Sequence, residues 1–600
     1  MTRRLPVLVL LAAVVVAGFV LDRTDGDDAA VATGEVAATS FPMAPAEGAV
    51  ASTWFCAGGT ADEEGFADHV VTVLNTAAEP VEVDLTVFPG VVAAPAPDAA
   101  AELDPEAEAE EEDEPAEEEP AEEDEEPTEA DATEGAEEAP ASQAPVVEQI
   151  EVAARSRVRL ALSELVTAPI ASALVEAPGD GLVVEHEVSS IHGFDAKPCA
   201  TAASDEWHFA WGTTAREARE LLVLFNPFPD DAIVEGVFST EDTVREPGRF
   251  AGGLVVPARS TVGIDLGDDV TRREEVAATL RTRAGRIVVD RIVRLDEEGG
   301  DRGLTVQLGV PEPQRAWAFP EGLASEAVSE SYVVYNPTDE LAEVELAFTL
   351  DRAEELGIPE PVNLSIAPGE HATVDITPDE VVPAGVPHSA VVRSANDVPI
   401  VAERVVAARG DVRRGLTVTT GSPVEATEWT FAAGSTEEPL AQSLTVVNLD
   451  PQVLTTIDVV AVVGGQELPV SELQDVAIEA GERLNIDLGA RIANRADLAV
   501  VVRATEPVVA ERVLAHTGEE QRGISLAVGV PSPEDRRVPV DPVIADLDVE
   551  VGDELDDAPT EGGDDVPAPP EDVELPEPDQ TIVIDDPDAE ATVPSEEEDG

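Results

Sequence analysis

Four segments opening on tryptophan recur along the chain at near-constant spacing, and no other feature narrows the fold as far. They are WFCAGG from Trp54, WHFAWG from Trp207, WAFPEG from Trp317 and WTFAAG from Trp429. Each leads to an apolar run that ends in asparagine: VTVLN at Asn75, LLVLFN at Asn226, YVVYN at Asn336 and LTVVN at Asn448. The Trp-to-Asn separations are 21, 19, 19 and 19 residues. Chance does not hold that register four times, so these eight residues are read as the structural anchors of a repeated unit.

The second half of the unit recurs as well. A turn and an alternating strand appear as VAARSRVRLAL, VPARSTVGIDL, IAPGEHATVDI and IEAGERLNIDL. An apolar strand with an acid beside a base follows: LVVEHEV, IVVDRIV, PIVAERVV and PVVAERVL. Three units then close on RGLTVQLGVP, RGLTVTTGSP or RGISLAVGVP. Seven or eight short runs rich in Val, Leu, Ile and Thr, punctuated by Gly, Pro, Asp and Asn, give an all-β expectation. A unit of about 110 residues fits a sandwich of immunoglobulin-like size. The expected boundaries are 50–203, 204–314, 315–426 and 427–534. An acidic insert over 97–145 lengthens the first unit, and an acidic tail covers 535–600.

Outside these units, residues 1–4 form a basic flank and 5–21 an apolar run, with 22–49 as linker. The run is long enough to span a bilayer, and its flanks place the bulk of the chain outside. We expect a single-pass cell-membrane anchor, the alternative being a cleaved signal and a secreted protein. The formal charge is −91. Residues 98–138 and 541–600 carry 23 and 24 acidic residues and no base, so the remainder is acidic too. Nucleic acid is excluded as a partner, since it requires basic patches. The acidic runs cannot bury apolar surface and are expected to be disordered.

Few residues invite chemistry. Cys56 stands where the other units have Phe209, Phe319 and Phe431, and Cys199 stands near the closing turn. A disulfide joining the first strand of the unit to its last is the expected use of a lone pair in an oxidising compartment. The acid–base dipeptides suggest cross-strand ion pairs about eleven residues apart: Asp290 with Arg302, Glu403 with Arg414, Glu511 with Arg522. An arginine beside each acid keeps it ionised, which suits an ion pair better than a general acid. The first unit has His186 at the arginine's place. The histidines are scattered, without metal spacing, and no nucleophile, phosphate-loop or dinucleotide motif is present. We expect no catalytic residues, no metal and no cofactor. Trp211 has no repeat equivalent and is the one ligand-contact candidate.

The N-terminal apolar run, the Trp-led β units, the acid–Arg strand and the closing G-[LI]-x-[VL] strand together resemble an actinobacterial extracytoplasmic family, domain-of-unknown-function family 5719, over roughly residues 50–534. The resemblance implies a membrane-anchored or secreted envelope protein and supplies no site residues. The expected function is non-enzymatic: an anchored rod of four tandem sandwiches acting as a spacer or binding module for an envelope protein or glycan. The alternatives are an accessory subunit of an envelope glycosyltransferase or polymer-assembly system and, third, an extracellular enzyme.

Overall fold

The computed structural model describes residues 41–62, 65–95, 143–297, 301–410, 413–517 and 522–539. The apolar run 5–21, nearly all of the insert 97–145 and most of the tail lie outside these residues. Among the described residues no helix is long and apolar enough to cross a membrane. The described chain is all-β, built from paired sheets.

The first eight strands are β1 (Ala51–Cys56), β2 (Asp68–Asn75), β3 (Val81–Val92), β4 (Val146–Val152), β5 (Ser156–Ala161), β6 (Ile170–Pro178), β7 (Leu182–Ser190) and β8 (Gly193–Pro198). They pair antiparallel in two sheets, ordered β1-β6-β3-β4 and β5-β2-β7-β8. Alternation decides which side chains face the space between the sheets: in β3, Val83, Leu85 and Val87 are buried while Glu82 and Asp84 are exposed. We call this group module 1. The same pairing order holds for strands between Glu206 and Leu308 (module 2), Ala316 and Thr420 (module 3), and Ala426 and Val528 (module 4). In module 4 one long strand, Ala499–His516, serves both sheets.

The asparagines explain why the register is kept. The Asn226 amide donates to the carbonyls of Asp230, Val256 and Pro257, while its Oδ1 accepts from Phe228 N–H. Asn75, Asn336 and Asn448 repeat this set with their own loops, and all four side chains are fully buried. Each asparagine ties the end of one strand to a hairpin and to the entry of the fifth strand, satisfying backbone groups cut off from water. The tryptophans lie in the cores. Trp207, Trp317 and Trp429 donate Nε1–H to the carbonyls of Ile287, Ile400 and Val508, respectively 3.0, 2.9 and 2.9 Å away, just before the seventh strand in modules 2 and 3 and within the long strand in module 4. Trp54 Nε1 has no such partner.

The expected linear rod is not what the chain forms. The closing strand β8 packs on Arg302–Leu308, that strand on Arg414–Thr420, that on Ile524–Val528, and the last packs back on β8. The apolar cores run together in the same cyclic order. Phe55 and Ala57 of module 1 join the core of module 2, and Trp211 joins that of module 3. Ala318 joins that of module 4, and Ala432 and Val530 of module 4 join that of module 1. A chain extended by stacking would leave the outer faces of modules 1 and 4 wet; closure buries both.

Replacing Asn336 by Ala leaves three carbonyls and one N–H without their partner. The expected loss of stability is about 3 kcal/mol, at about 1–3 kcal/mol for a buried group left unsatisfied. Only the Ile366 carbonyl contact is fully buried, and the part-buried groups can turn to water. It is to be read as a fall in the urea midpoint by tryptophan fluorescence, with Asn75, Asn226 and Asn448 variants giving losses of the same order.

Candidate functional site at the module joints and the central axis

The acid–base dipeptide lies on the seventh strand, whose successive side chains point to opposite faces. In this ring both faces are covered, one by the preceding module and one by the following module. Arg291 of module 2 therefore reaches Glu403 of module 3, with Nη1–Oε2 at 3.1 Å and Nη2–Oε1 at 3.4 Å. Arg404 of module 3 pairs with Glu511 of module 4. Arg512 of module 4 pairs with Glu185 of module 1 at 2.6 Å, closing the circle. At the remaining joint, His186 of module 1 faces Asp290 of module 2 at 3.6 Å. All of these side chains are buried.

The pairing expected within each unit is thereby corrected. Asp290, Glu403 and Glu511 face a neighbouring module, whereas Arg302 pairs with Asp296 at 3.3 Å and donates to the Glu297 carbonyl. Arg414 Nε donates to the Gly410 carbonyl. These arginines stand at the mouth of the hairpin leading into the closing strand, and an eleven-residue spacing placed them wrongly. The adjacency of acid and base in Asp290–Arg291, Glu403–Arg404 and Glu511–Arg512 requires one of each pair to face inward or toward a neighbouring module, but sequence reasoning missed Glu185 and did not give Arg291, Arg404 and Arg512 their partners.

Each joint acid has a second task. Asp290 Oδ2 accepts from the N–H groups of Ala57 and Gly58, at 3.1 and 2.8 Å. Glu403 accepts from Trp211 N–H, Glu511 from Glu321 N–H and Glu185 from Ala432 N–H. These donors are the fourth and fifth residues of the four Trp-led hexamers, so each hexamer is where the next module docks. The guanidinium of each joint arginine also lies over the phenylalanine of its own hexamer, Arg291 over Phe209 at 5.0 Å, Arg404 over Phe319 at 5.5 Å and Arg512 over Phe431 at 5.9 Å, a cation–π arrangement. Burial pushes the Glu403 and Glu511 carboxyls up, and the facing arginines pull against it.

Trp211 is part of this joint. It is 8% exposed, and Arg291 lies 5.6 Å from its ring centre. Its face is covered, which leaves no open platform for a sugar.

In module 1 Cys56 takes the phenylalanine's place and is bonded to Cys199, with 4.8 Å between the Cα atoms. Cys199 corresponds to Gly309, Gly421 and Gly529 of the other closing strands. There a Cβ would press on the phenylalanine ring, at 2.8 Å for Gly309 against Phe209. A Phe–Gly pair and a Cys–Cys pair thus fill the same slot.

At the axis the four closing strands come too close for side chains at their starts. A Cβ on Gly303 would lie 2.2 Å from Leu416 N, and one on Gly523 2.1 Å from a Phe194 ring carbon. Two residues further on, Asp195, Thr305, Thr417 and Ser525 converge. Thr305 Oγ1 donates to Asp195 Oδ2 at 2.6 Å, and the only lysine in the chain, Lys197, stands 3.2 Å from Asp195 Oδ1. The Lys197 ammonium also reaches Thr417, Thr419 and the Leu526 carbonyl. Burial lowers the Lys197 pKa and raises that of Asp195, each opposed by the other's charge. Beside Lys197 a cavity of about 50 Å³ opens between Gln307, Val310, Thr419, Val528 and Phe41. That is room for a few waters, not for a sugar ring. Among the described residues no group of three or more His, Cys, Asp or Glu side chains could hold a metal ion.

The fold and its joints define an all-β chain whose recurring residues hold its sheets to one another. Residues 176–415 match the model of a family of unknown function (DUF5719). No curated protein matches the chain. Among solved structures it is similar to one titled "Crystal Structure of Thermotoga maritima 1070". That chain is 22% identical, with 18% of this chain and 95% of that one covered and a TM-score of 0.17.

Two outcomes follow for the joints. Arg404→Met leaves the Glu511 carboxylate buried without its guanidinium and is expected to cost about 3–5 kcal/mol. The Arg404→Met/Glu511→Leu pair recovers most of that loss, as a double-mutant cycle by urea denaturation would measure. For the disulfide, Cys56→Ala/Cys199→Ala loses about 2–5 kcal/mol. Cys56→Phe/Cys199→Gly restores the packing of the other modules and recovers much of it, as the urea midpoint of the two variants would show.

Proposed function

We propose that this chain is a non-enzymatic scaffold of the cell envelope: four tandem immunoglobulin-like sandwiches closed into a ring, held to the membrane by the apolar segment 5–21, that present their outer loops to an envelope protein or a glycan. The observation that carries this reading is where the recurring residues go. The tryptophans and asparagines pack and tie the sheets, the acid–base dipeptides and hexamers make the joints, and the glycines allow the axis to close. A buried ion pair flanked by backbone donors suits a fixed framework, since each charge is held by partners that would have to move for it to react. The disulfide supports an oxidising location. The acidic composition suits a soluble ectodomain.

The test uses the full-length protein in its native host, with photo-crosslinkers placed at exposed positions on the outer strands, such as Val147 and Leu468. The expected result is recovery in the membrane fraction after carbonate washing, with adducts to one envelope protein or to wall glycan. Recovery in the cytosolic fraction, or no adduct from any outer position, overturns the proposal.

A further inference from the structure

Three joints of the ring place an arginine against the next module's carboxylate; the joint between modules 1 and 2 places His186 there. The hydrogen bonds around His186 fix its protonation. His69 Nδ1 lies 2.9 Å from the Ala171 carbonyl and so carries the hydrogen, which leaves Nε2 as an acceptor. That Nε2 is 3.1 Å from His186 Nδ1, which must therefore donate, leaving His186 Nε2 with a lone pair aimed at Asp290 Oδ2. The Gly58 backbone also lies against the His186 ring, and Asp290 Oδ1 makes no hydrogen bond. One proton shared between His186 and Asp290 completes the chain; a further proton on His69 Nε2 would point at the His186 N–H and break it.

We infer that this joint is an acid-sensitive latch, the place where the closed ring opens when its surroundings turn acidic. The groups facing the latch are His69 on β2, Lys197 across from His186 on β8, the Asp195 that holds Lys197, Asp290 from module 2, and the N–H groups of Ala57 and Gly58 at the end of β1. None of them can neutralise a second positive charge on the histidines. Glu185 and Arg512, next along β7, are engaged with each other on its opposite face.

The sign follows from the two states. Burial holds His69 down to about 3 and His186 down to about 4, while burial pushes Asp290 up to about 7 against its two backbone donors. In the opened joint the histidines return to about 6.5 and the aspartate to about 3.9. The depressed histidines contribute closure that is whole above pH 6.5 and lost as pH falls. Asp290, raised, works the other way and favours closure as pH drops from 7 toward 4. Between about pH 5.5 and 4 the open joint binds close to two protons on the histidines, and the closed joint binds one on the His186–Asp290 pair. The net uptake of one proton raises the opening equilibrium about tenfold per pH unit.

Amide hydrogen exchange on the intact, oxidised full-length protein tests this, read on the peptide containing Ala57 and Gly58 and corrected for intrinsic rates. From pH 6.5 to 4.5 the expected rise in opening is about thirtyfold, because the histidines of the open joint are only half-protonated at the upper end of that range. The peptides around Glu321 and Ala432, docked on arginine-closed joints, should change less than tenfold. His69→Gln/His186→Arg/Asp290→Glu rebuilds the first joint on the pattern of the fourth module and should flatten the response. His186→Gln alone removes one of the two opening protons and should flatten it as well, which keeps the test open if the triple variant does not fold. Protection at Ala57 and Gly58 that is unchanged at pH 4.5, or an unchanged pH slope in a folded variant, overturns the latch.

Discussion

The carboxylate–guanidinium links between neighbouring modules are the constraint on which the rest of this structure depends. Removing a pair of charges from water costs several kcal/mol per ion unless the remaining hydrogen-bonding positions are also filled. Here the filling is shared. The acid takes its arginine from one side and backbone N–H groups of a Trp-led hexamer from the other, and the arginine lies on that hexamer's phenylalanine. Hexamer, base and following acid are therefore one unit of structure, although they come from two modules. This explains why they recur together.

The same links require closure. A seventh strand with an acid on one face and a base on the other has two neighbours to satisfy. In an open rod Glu185 of the first module and Arg512 of the last would each stand on an outer face open to water, without a partner. Both are present and they meet, with Arg512 donating as well to the Ala433 and Ala196 carbonyls. Other cross-module contacts follow the same cyclic rule. Arg157 reaches back to carbonyls of module 4, among them Ala432 and Leu498, and Arg483, at the matching position, reaches back to Glu321 and Asp351 of module 3.

Much of this was legible in the sequence. Trp-to-Asn spacing and strand alternation gave the paired sheets, and Cys56 in a phenylalanine's column gave the disulfide, because both are set by local geometry and residue volume. The partners of the dipeptides were not legible. A spacing of eleven residues fits a hairpin pair as well as it fits a coincidence, and nothing local says which molecule-wide neighbour covers a face. Two facts did contain the answer: the acid and the base are adjacent, so they cannot share a face, and the strand around them, as in PIVAERVV, is apolar on both sides. Trp211 misled for a related reason. A residue absent from the other modules reads as a special surface feature, yet it sits inside a joint where Gly58, Glu321 and Ala433 occupy the matching position.

Module 1 departs from the others in a correlated way that a residue-by-residue comparison does not explain. Where the arginine is replaced by His186, the phenylalanine that would lie under it is replaced by Cys56, and the glycine that makes room for that ring is replaced by Cys199. At the axis the same module supplies Asp195 and Lys197, where the others have Thr305 and Gln307, Thr417 and Thr419, Ser525 and Ala527. A ring of four near-equivalent modules with one differing at its joint, its staple and its axis is not four-fold in energy. The covalent bond holds module 1 together internally while its joint to module 2 lacks the guanidinium that closes the other three. Any opening of the ring that leaves the modules folded is therefore directed to that joint by its chemistry. The residues that recur are engaged in holding the ring shut.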